Sequence, residues 1–245
     1  MNEAPKTLMI FIDGLGIGEK HPEINPIYSG VCPRLVRLLE EFAEPIDACL
    51  DTPGLPQSAT GQASLFTGQN AAEFMGRHVE GCPGPTLKEF VREHNLFDKL
   101  SKRGYQSTFA NAYYIDDMTE IQKRRRQSVS TVAALKAFGD VRTSRDLTEN
   151  RAVYQDLTRE VLTTRGYKGP TISPEAAAEH LVGIAGEHDF TLFEYFQTDL
   201  MAHRGTEEDV RDVLKNLNRF MGTLLPAWKN PGHLFVTTSD HGNVE

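Results

Sequence analysis

Near the end of the sequence, the run Leu234-Phe235-Val236-Thr237-Thr238-Ser239 leads into Asp240-His241-Gly242-Asn243. A β-branched, apolar run that ends on a carboxylate and an imidazole has the form of a strand delivering two metal ligands to a sheet edge. Asp13 follows a second apolar run, Leu8 to Ile12, and Asp199 follows a third, Phe190 to Phe196. His203 stands four residues after Asp199, so on a helical turn the two share one face. Taken singly these are weak signals, since an aspartate after a strand is an ordinary turn former. Their weight lies in all falling at strand ends. Carboxylate oxygens combined with imidazole nitrogens suit Zn²⁺ or Mn²⁺ better than Mg²⁺ or Ca²⁺, which prefer all-oxygen shells.

A nucleophile is available in Gly54-Leu55-Pro56-Gln57-Ser58-Ala59-Thr60-Gly61-Gln62. Proline followed by small residues predicts a loop entering a helix near Ser58, where helix N–H groups can hold phosphate oxygens. Ser58 could be a plain helix cap, but a serine hydroxyl beside metal ions becomes a usable nucleophile. Two ions about 4 Å apart can stabilise both the attacking and the leaving oxygen of a phosphoryl transfer. Arg77 and Asn111 are candidate substrate contacts, Arg77 for a phosphate and Asn111 because it lies after a strand. The run Arg124-Arg125-Arg126 could meet an anionic substrate or simply face solvent.

The elements that must position these residues alternate between strand and helix. Strands are expected at Leu8–Ile12, Thr108–Ala112 and Phe190–Phe196, and in the run that ends before Asp240. Helical spacing follows Pro33, and Thr86-Leu87-Lys88-Glu89 has the form of a capping box opening a helix that finishes by Gly104. Pro174 starts another helix, and Thr206 with its acidic first turn starts one whose apolar face runs from Val210 to Leu224. Such alternation predicts a mostly parallel sheet with helices on both faces, where ligands gather beyond the carboxyl ends of the strands. Residues 113–170 are less regular and more charged, and are expected to form a small cap or insertion.

Length and composition narrow the function further. The chain has 245 residues, enough for one large α/β domain, and 39% of them are hydrophobic. A net charge of −8 argues against nucleic acid or an anionic membrane surface as a partner. No run is long enough for a membrane span or a signal sequence; the three cysteines have no metal-knuckle spacing, and their odd number argues against a disulfide framework. A cytoplasmic protein is expected. The oligomeric state is not legible.

The fragments Phe11-Ile12-Asp13-Gly14, Leu55-Pro56 through Ser58 to Gly61, Asp199-Leu200-Met201-Ala202-His203 and Asp240-His241-Gly242-Asn243 together resemble the alkaline phosphatase superfamily. They are most similar to its cofactor-independent phosphoglycerate mutase branch, without that branch's large inserted domain. The resemblance implies a three-layer α/β/α sandwich, two divalent metal ions (Zn²⁺ or Mn²⁺) and a transiently phosphorylated Ser or Thr. It implies Asp13, Asp240 and His241 as ligands of one metal shared with the nucleophile Ser58. Asp199 and His203 are the implied ligands of the second. Thr60 is the rival nucleophile, and spacing to Gly68 favours Ser58. Gln62 stands where the mutases have a histidine. A further histidine normally follows the Asp-His-Gly motif, so residues 1–245 are expected to be a single core truncated at its C-terminus, its second metal under-liganded. The function expected is phosphoester hydrolysis on a small phosphorylated substrate. A phosphomutase, or a non-catalytic metal-binding protein with an incomplete site, are the alternatives.

Overall fold

The computed structural model describes residues 5–245. Its strands are β1 (Thr7–Ile12), β2 (Ser107–Phe109), β3 (Phe190–Tyr195) and β4 (Leu234–Thr238). Side chains alternate across a strand, so a strand apolar at every position must be covered on both faces. β1 is such a strand: Leu8, Ile10 and Ile12 enter one core with Phe193 and Tyr195, while Phe11 enters another with Phe190 and Leu192. All pairings are parallel, in the order β2-β3-β1-β4. Ile10 lies opposite Phe193 on one side and Thr237 on the other.

Helices α1 (Pro33–Glu41), α2 (Ser58–Thr67), α3 (Ala71–Met75), α4 (Pro85–His94) and α5 (Leu96–Ser101) fill the long connection from β1 to β2. Between β2 and β3 come α6 (Met118–Lys123), α7 (Val129–Phe138), α8 (Ser144–Thr148), α9 (Glu160–Thr163) and α10 (Pro174–Gly186). Then α11 (Gln197–Arg204) and α12 (Glu207–Ala227) lead to β4. α1, α10 and α12 cover the first core, and α2, α4, α5 and α7 cover the second. The result is the three-layer α/β/α sandwich with a parallel sheet. In α12, Leu214, Leu217, Phe220, Met221 and Leu224 are buried as its helical spacing requires, and Thr206 with Asp209 closes a capping box.

Three local expectations are corrected. Thr86 does not cap α4; Pro85 already occupies its first turn and Gly84 is the cap. The helical stretch to Gly104 breaks at Asn95, whose side chain caps α5 by accepting from the Phe97 N–H. β2 ends at Phe109, and Asn111 and Ala112 continue only as isolated bridges to Val153 and Arg142. Within residues 113–170, α7 packs into the second core, whereas α8 and α9 surround a small cluster of their own with Leu147, Tyr154, Leu162 and Tyr167. Among the described residues no helix is long and apolar enough to cross a membrane.

Candidate metal centre

Parallel strands bring their carboxyl ends to one edge, so residues distant in sequence meet there. Asp13 leaves β1 and is buried, Asp199 sits in the first turn of α11 after β3, and Asp240 and His241 follow β4. Two glycines allow the close approach. Gly14 has φ +67°, and a Cβ there would stand 2.9 Å from both Asp199 Cβ and Asp199 Oδ1. A Cβ on Gly61 of α2 would stand 2.7 Å from Asp240 Cβ. The turn after β1 is clasped to its neighbours: Thr198 Oγ1 donates to the Asp13 carbonyl at 2.5 Å, and Leu15 N to Ser239 Oγ at 2.9 Å. Gly16 N donates to the Glu245 carboxylate at 2.9 Å.

One oxygen each from Asp13 and Asp199 and one ring nitrogen of His241 lie within 4.8 Å of one another. His241 Nε2 is 3.6 Å from Asp13 Oδ1 and 3.7 Å from Asp240 Oδ2. Ser58, the first residue of α2, places Oγ 3.0 Å from the same Nε2. The His241 Nδ1 lies 3.1 Å from the Gly242 carbonyl, which only accepts, so that ring nitrogen is placed to donate outward while Nε2 faces the cluster. Thr60 is fully buried, its hydroxyl donating to the Gln57 carbonyl at 3.2 Å and accepting from Val79 N at 3.2 Å.

The donor set fits a divalent cation. Asp13 Oδ1 is buried with no hydrogen-bond partner. Burial, and then the charges of Asp240, Asp199 and Glu194, push the Asp13 carboxyl up to about 9. Burial also raises Asp240, against the pull of His241. Carboxylates crowded in this way must hold protons or face a cation. Gln62 relieves part of the repulsion, its Nε2 lying 3.3 Å from Asp240 Oδ2 and 3.5 Å from Asp13 Oδ2.

His203 is exposed and reaches the centre through Asp199, with Nε2 3.5 Å from Asp199 Oδ1. The same Asp199 oxygen accepts from Asn243 Nδ2 at 2.8 Å. Arg77 is exposed on the turn after α3, and its main-chain N–H closes that turn on Ala72. Both ends of the Asn111 amide bind the Glu194 main chain at 2.8 Å, prolonging the β2–β3 pairing. Two residues not picked out from the sequence support the centre. Glu194 is fully buried in β3, with Oε2 accepting from Ser130 Oγ at 2.6 Å, and a glutamate inside an apolar strand was the available signal. Thr198 carried no such signal, because its role is a main-chain contact across two loops. A cleft of about 640 Å³ opens beside β4, with Asp240 and His241 in its wall.

The profile of the family described as the Metalloenzyme superfamily matches residues 5–245, and the chain belongs to that superfamily. Membership implies a divalent-metal cofactor, which the donor set accommodates. Over 84 residues the chain is 31% identical to a 2,3-bisphosphoglycerate-independent phosphoglycerate mutase of Wolinella succinogenes, covering 34% of this chain and 17% of that one. Over 77 residues it is 29% identical to the enzyme of the same name from Cereibacter sphaeroides, covering 31% and 15%. The chain thus spans about a sixth of the length of these relatives. The solved structure of PH0037 protein from Pyrococcus horikoshii shares the fold, with TM-score 0.59 at 15% identity, over 99% of this chain and 81% of that one.

Proposed function

We propose that the chain is a metal-dependent phosphoryl-transfer enzyme that hydrolyses small phosphoesters, with Ser58 as nucleophile. The observation that carries this reading is Ser58 Oγ, 3.0 Å from His241 Nε2 at the edge of the acidic cluster. Asp13, Asp240 and His241 would hold one ion, and Asp199 with His203 a second, Zn²⁺ or Mn²⁺ by the mixture of oxygen and nitrogen donors. Bound divalent cations supply Lewis-acid charge, which lowers the proton affinity of a hydroxyl and neutralises phosphoryl oxygens.

The residues of the chain do the rest. α2 fixes Ser58 at its first turn, so Oγ and the ligand nitrogen address the same point. As Oγ gives up its proton to solvent, it forms a bond to phosphorus, the bond from phosphorus to the leaving oxygen breaks, and that oxygen takes a proton from solvent to leave as the alcohol. Water then cleaves the phosphoserine ester and returns the proton to Oγ. Gln62 keeps Asp13 and Asp240 in place throughout. Ser58→Ala is expected to abolish turnover of p-nitrophenyl phosphate while metal content, measured by elemental analysis, stays unchanged. Turnover surviving in that variant excludes Ser58 as nucleophile. The relatives' names favour a mutase as the second reading; product analysis distinguishes the two, since a mutase leaves total phosphoester constant and a hydrolase releases phosphate.

A further inference from the structure

The cleft beside β4 differs in character from the acidic cluster it adjoins. Its wall is predominantly apolar: Leu15 and Ile17 follow β1, Leu39 comes from α1, Leu65 from α2, and Ile46 and Leu50 from the stretch after α1. Ile17 is 56% exposed and Ile46 71% exposed. Single exposed apolar side chains are ordinary, but a group of them around one concavity marks a binding surface. At about 640 Å³ the cleft falls within the range of small-molecule pockets. Its acidic residues beyond the metal centre are Glu44, Asp47 and Glu245, and among the described residues no lysine or arginine lines it.

The stretch from Ala43 to Leu50 is anchored at its end. Leu50 and Asp51 take φ of +53° and +54°, a region that residues with a side chain enter at an energetic cost. Two donors to the Leu50 carbonyl hold the turn there, Asn70 Nδ2 at 2.8 Å and Thr52 Oγ1 at 3.2 Å. Asp47 Oδ1 accepts from the Cys49 N–H at 2.9 Å, and that bond holds its carboxyl below the usual range. The wall therefore keeps a negative charge at neutral pH. The cleft is also continuous with the metal centre. Asp240, His241 and Gly61 line it, and His241 Nε2 is the atom 3.0 Å from Ser58 Oγ.

We propose that this cleft binds the alcohol part of the phosphoester, and that this part is an uncharged, apolar chain or ring. The inference rests on the metal centre being the phosphoryl site. Because His241 belongs to both, a phosphoryl group at the cluster can extend its ester oxygen along the imidazole into the cleft. Packing of the chain against Ile17, Ile46 and Leu65 removes apolar surface from water on both partners. A second acid on the substrate would instead meet Glu44 and Asp47, with no lysine or arginine in the wall to balance it. The substrates selected are phosphoesters of alkyl or aryl alcohols in which the phosphate is the only charged group.

Calorimetric titration of the full chain with Mn²⁺ tests this using methylphosphonate, hexylphosphonate and 6-phosphonohexanoate. Hexylphosphonate is expected to bind about thirtyfold tighter than methylphosphonate or better, from the methylenes it buries. The terminal carboxylate of 6-phosphonohexanoate should cancel most of that gain. Ile17→Ser/Ile46→Ser, at two exposed positions, should remove the gain while methylphosphonate binds as before. Equal affinity for methyl- and hexylphosphonate overturns the proposal in favour of a protein occupant of the groove. A gain that survives the double substitution, or that 6-phosphonohexanoate shares in full, overturns it as well. Asp13→Asn reads the metal centre separately, through loss of methylphosphonate binding. If that binding ignores Asp13→Asn while the hexyl gain still needs Ile17 and Ile46, the phosphoryl-site reading fails and the apolar cleft stands.

Discussion

Gln62 is a neutral donor set between two buried acids, and its worth follows from what they lack. Its Nε2 approaches Asp240 Oδ2 at 3.3 Å and Asp13 Oδ2 at 3.5 Å, while Asp13 Oδ1 has no partner. Replacing Gln62 by Leu keeps the volume and removes both contacts. The expected loss is about 1–3 kcal/mol, the cost of leaving buried acceptors unsatisfied. Urea unfolding in chelator checks it, and unchanged stability would show the amide to be a bystander. Asp13, Ser58, Asp240 and His241 could be picked out from sequence because each adjoins a recognisable strand or helix end. Gln62 and Glu194 could not be given roles that way. Their importance comes from which acids the fold places around them, and no local spacing encodes that.

Between elements, the contact that positions the centre is α2 against the turn after β4. A methyl group on Gly61 would meet Asp240 Cβ at 2.7 Å and its carbonyl oxygen at 3.0 Å, atoms that cannot swing aside. Gly61→Ala should raise the intrinsic helix propensity of α2 by about 1 kcal/mol yet lower metal affinity by about 10–100-fold, read by metal titration. Unaltered affinity would mean that α2 does not set the Asp240 position. β3 carries a separate, pH-dependent strain. Burial pushes Glu194 up to about 8 from its ordinary 4.5. Because the folded value is the higher one, its stabilising contribution is full below about pH 4.5 and is lost as pH rises through about 8. Thermal melts of the metal-free chain should therefore fall in Tm across that window, where Asp13, pushed up to about 9, acts in the same direction, and Glu194→Gln should make the decline shallower. Identical pH profiles would remove Glu194 as the cause. Strand and helix identities were largely legible, because β1 is apolar on both faces, β3 is apolar at most positions, and α12 has one apolar side. The break at Asn95 was not, since its cap needs only one side chain, and the capping-box pattern at Thr86 misled because Pro85 already starts the helix.

For the molecule as a whole, the strand order β2-β3-β1-β4 makes residues 13, 199 and 240 neighbours. That meeting could be foreseen, because parallel strands share one carboxyl edge. The allocation of residues 113–170 could not, since Val129, Val132, Ala133 and Ala134 are small or apolar all round and declare no face until α2 and α4 are packed against them. Asp13, Asp199 and the Asp240-His241 pair come from three separate strand ends, so a cation held by any of the ligand sets they form binds the folded chain and not the unfolded one. At a free concentration of about 100 times its Kd, such a ligand adds about 2.7 kcal/mol of stability. For a chain of this size each kcal/mol moves Tm by about 2–4 °C, which gives a rise of about 5–11 °C. Scanning calorimetry with Mn²⁺ or Zn²⁺ against chelator measures it. The rise should vanish in Asp13→Asn, where the buried ligand oxygen has lost its charge. A shift of equal size in that variant would place the ion elsewhere on the protein, and no shift with either metal would remove the centre from the fold's stability altogether.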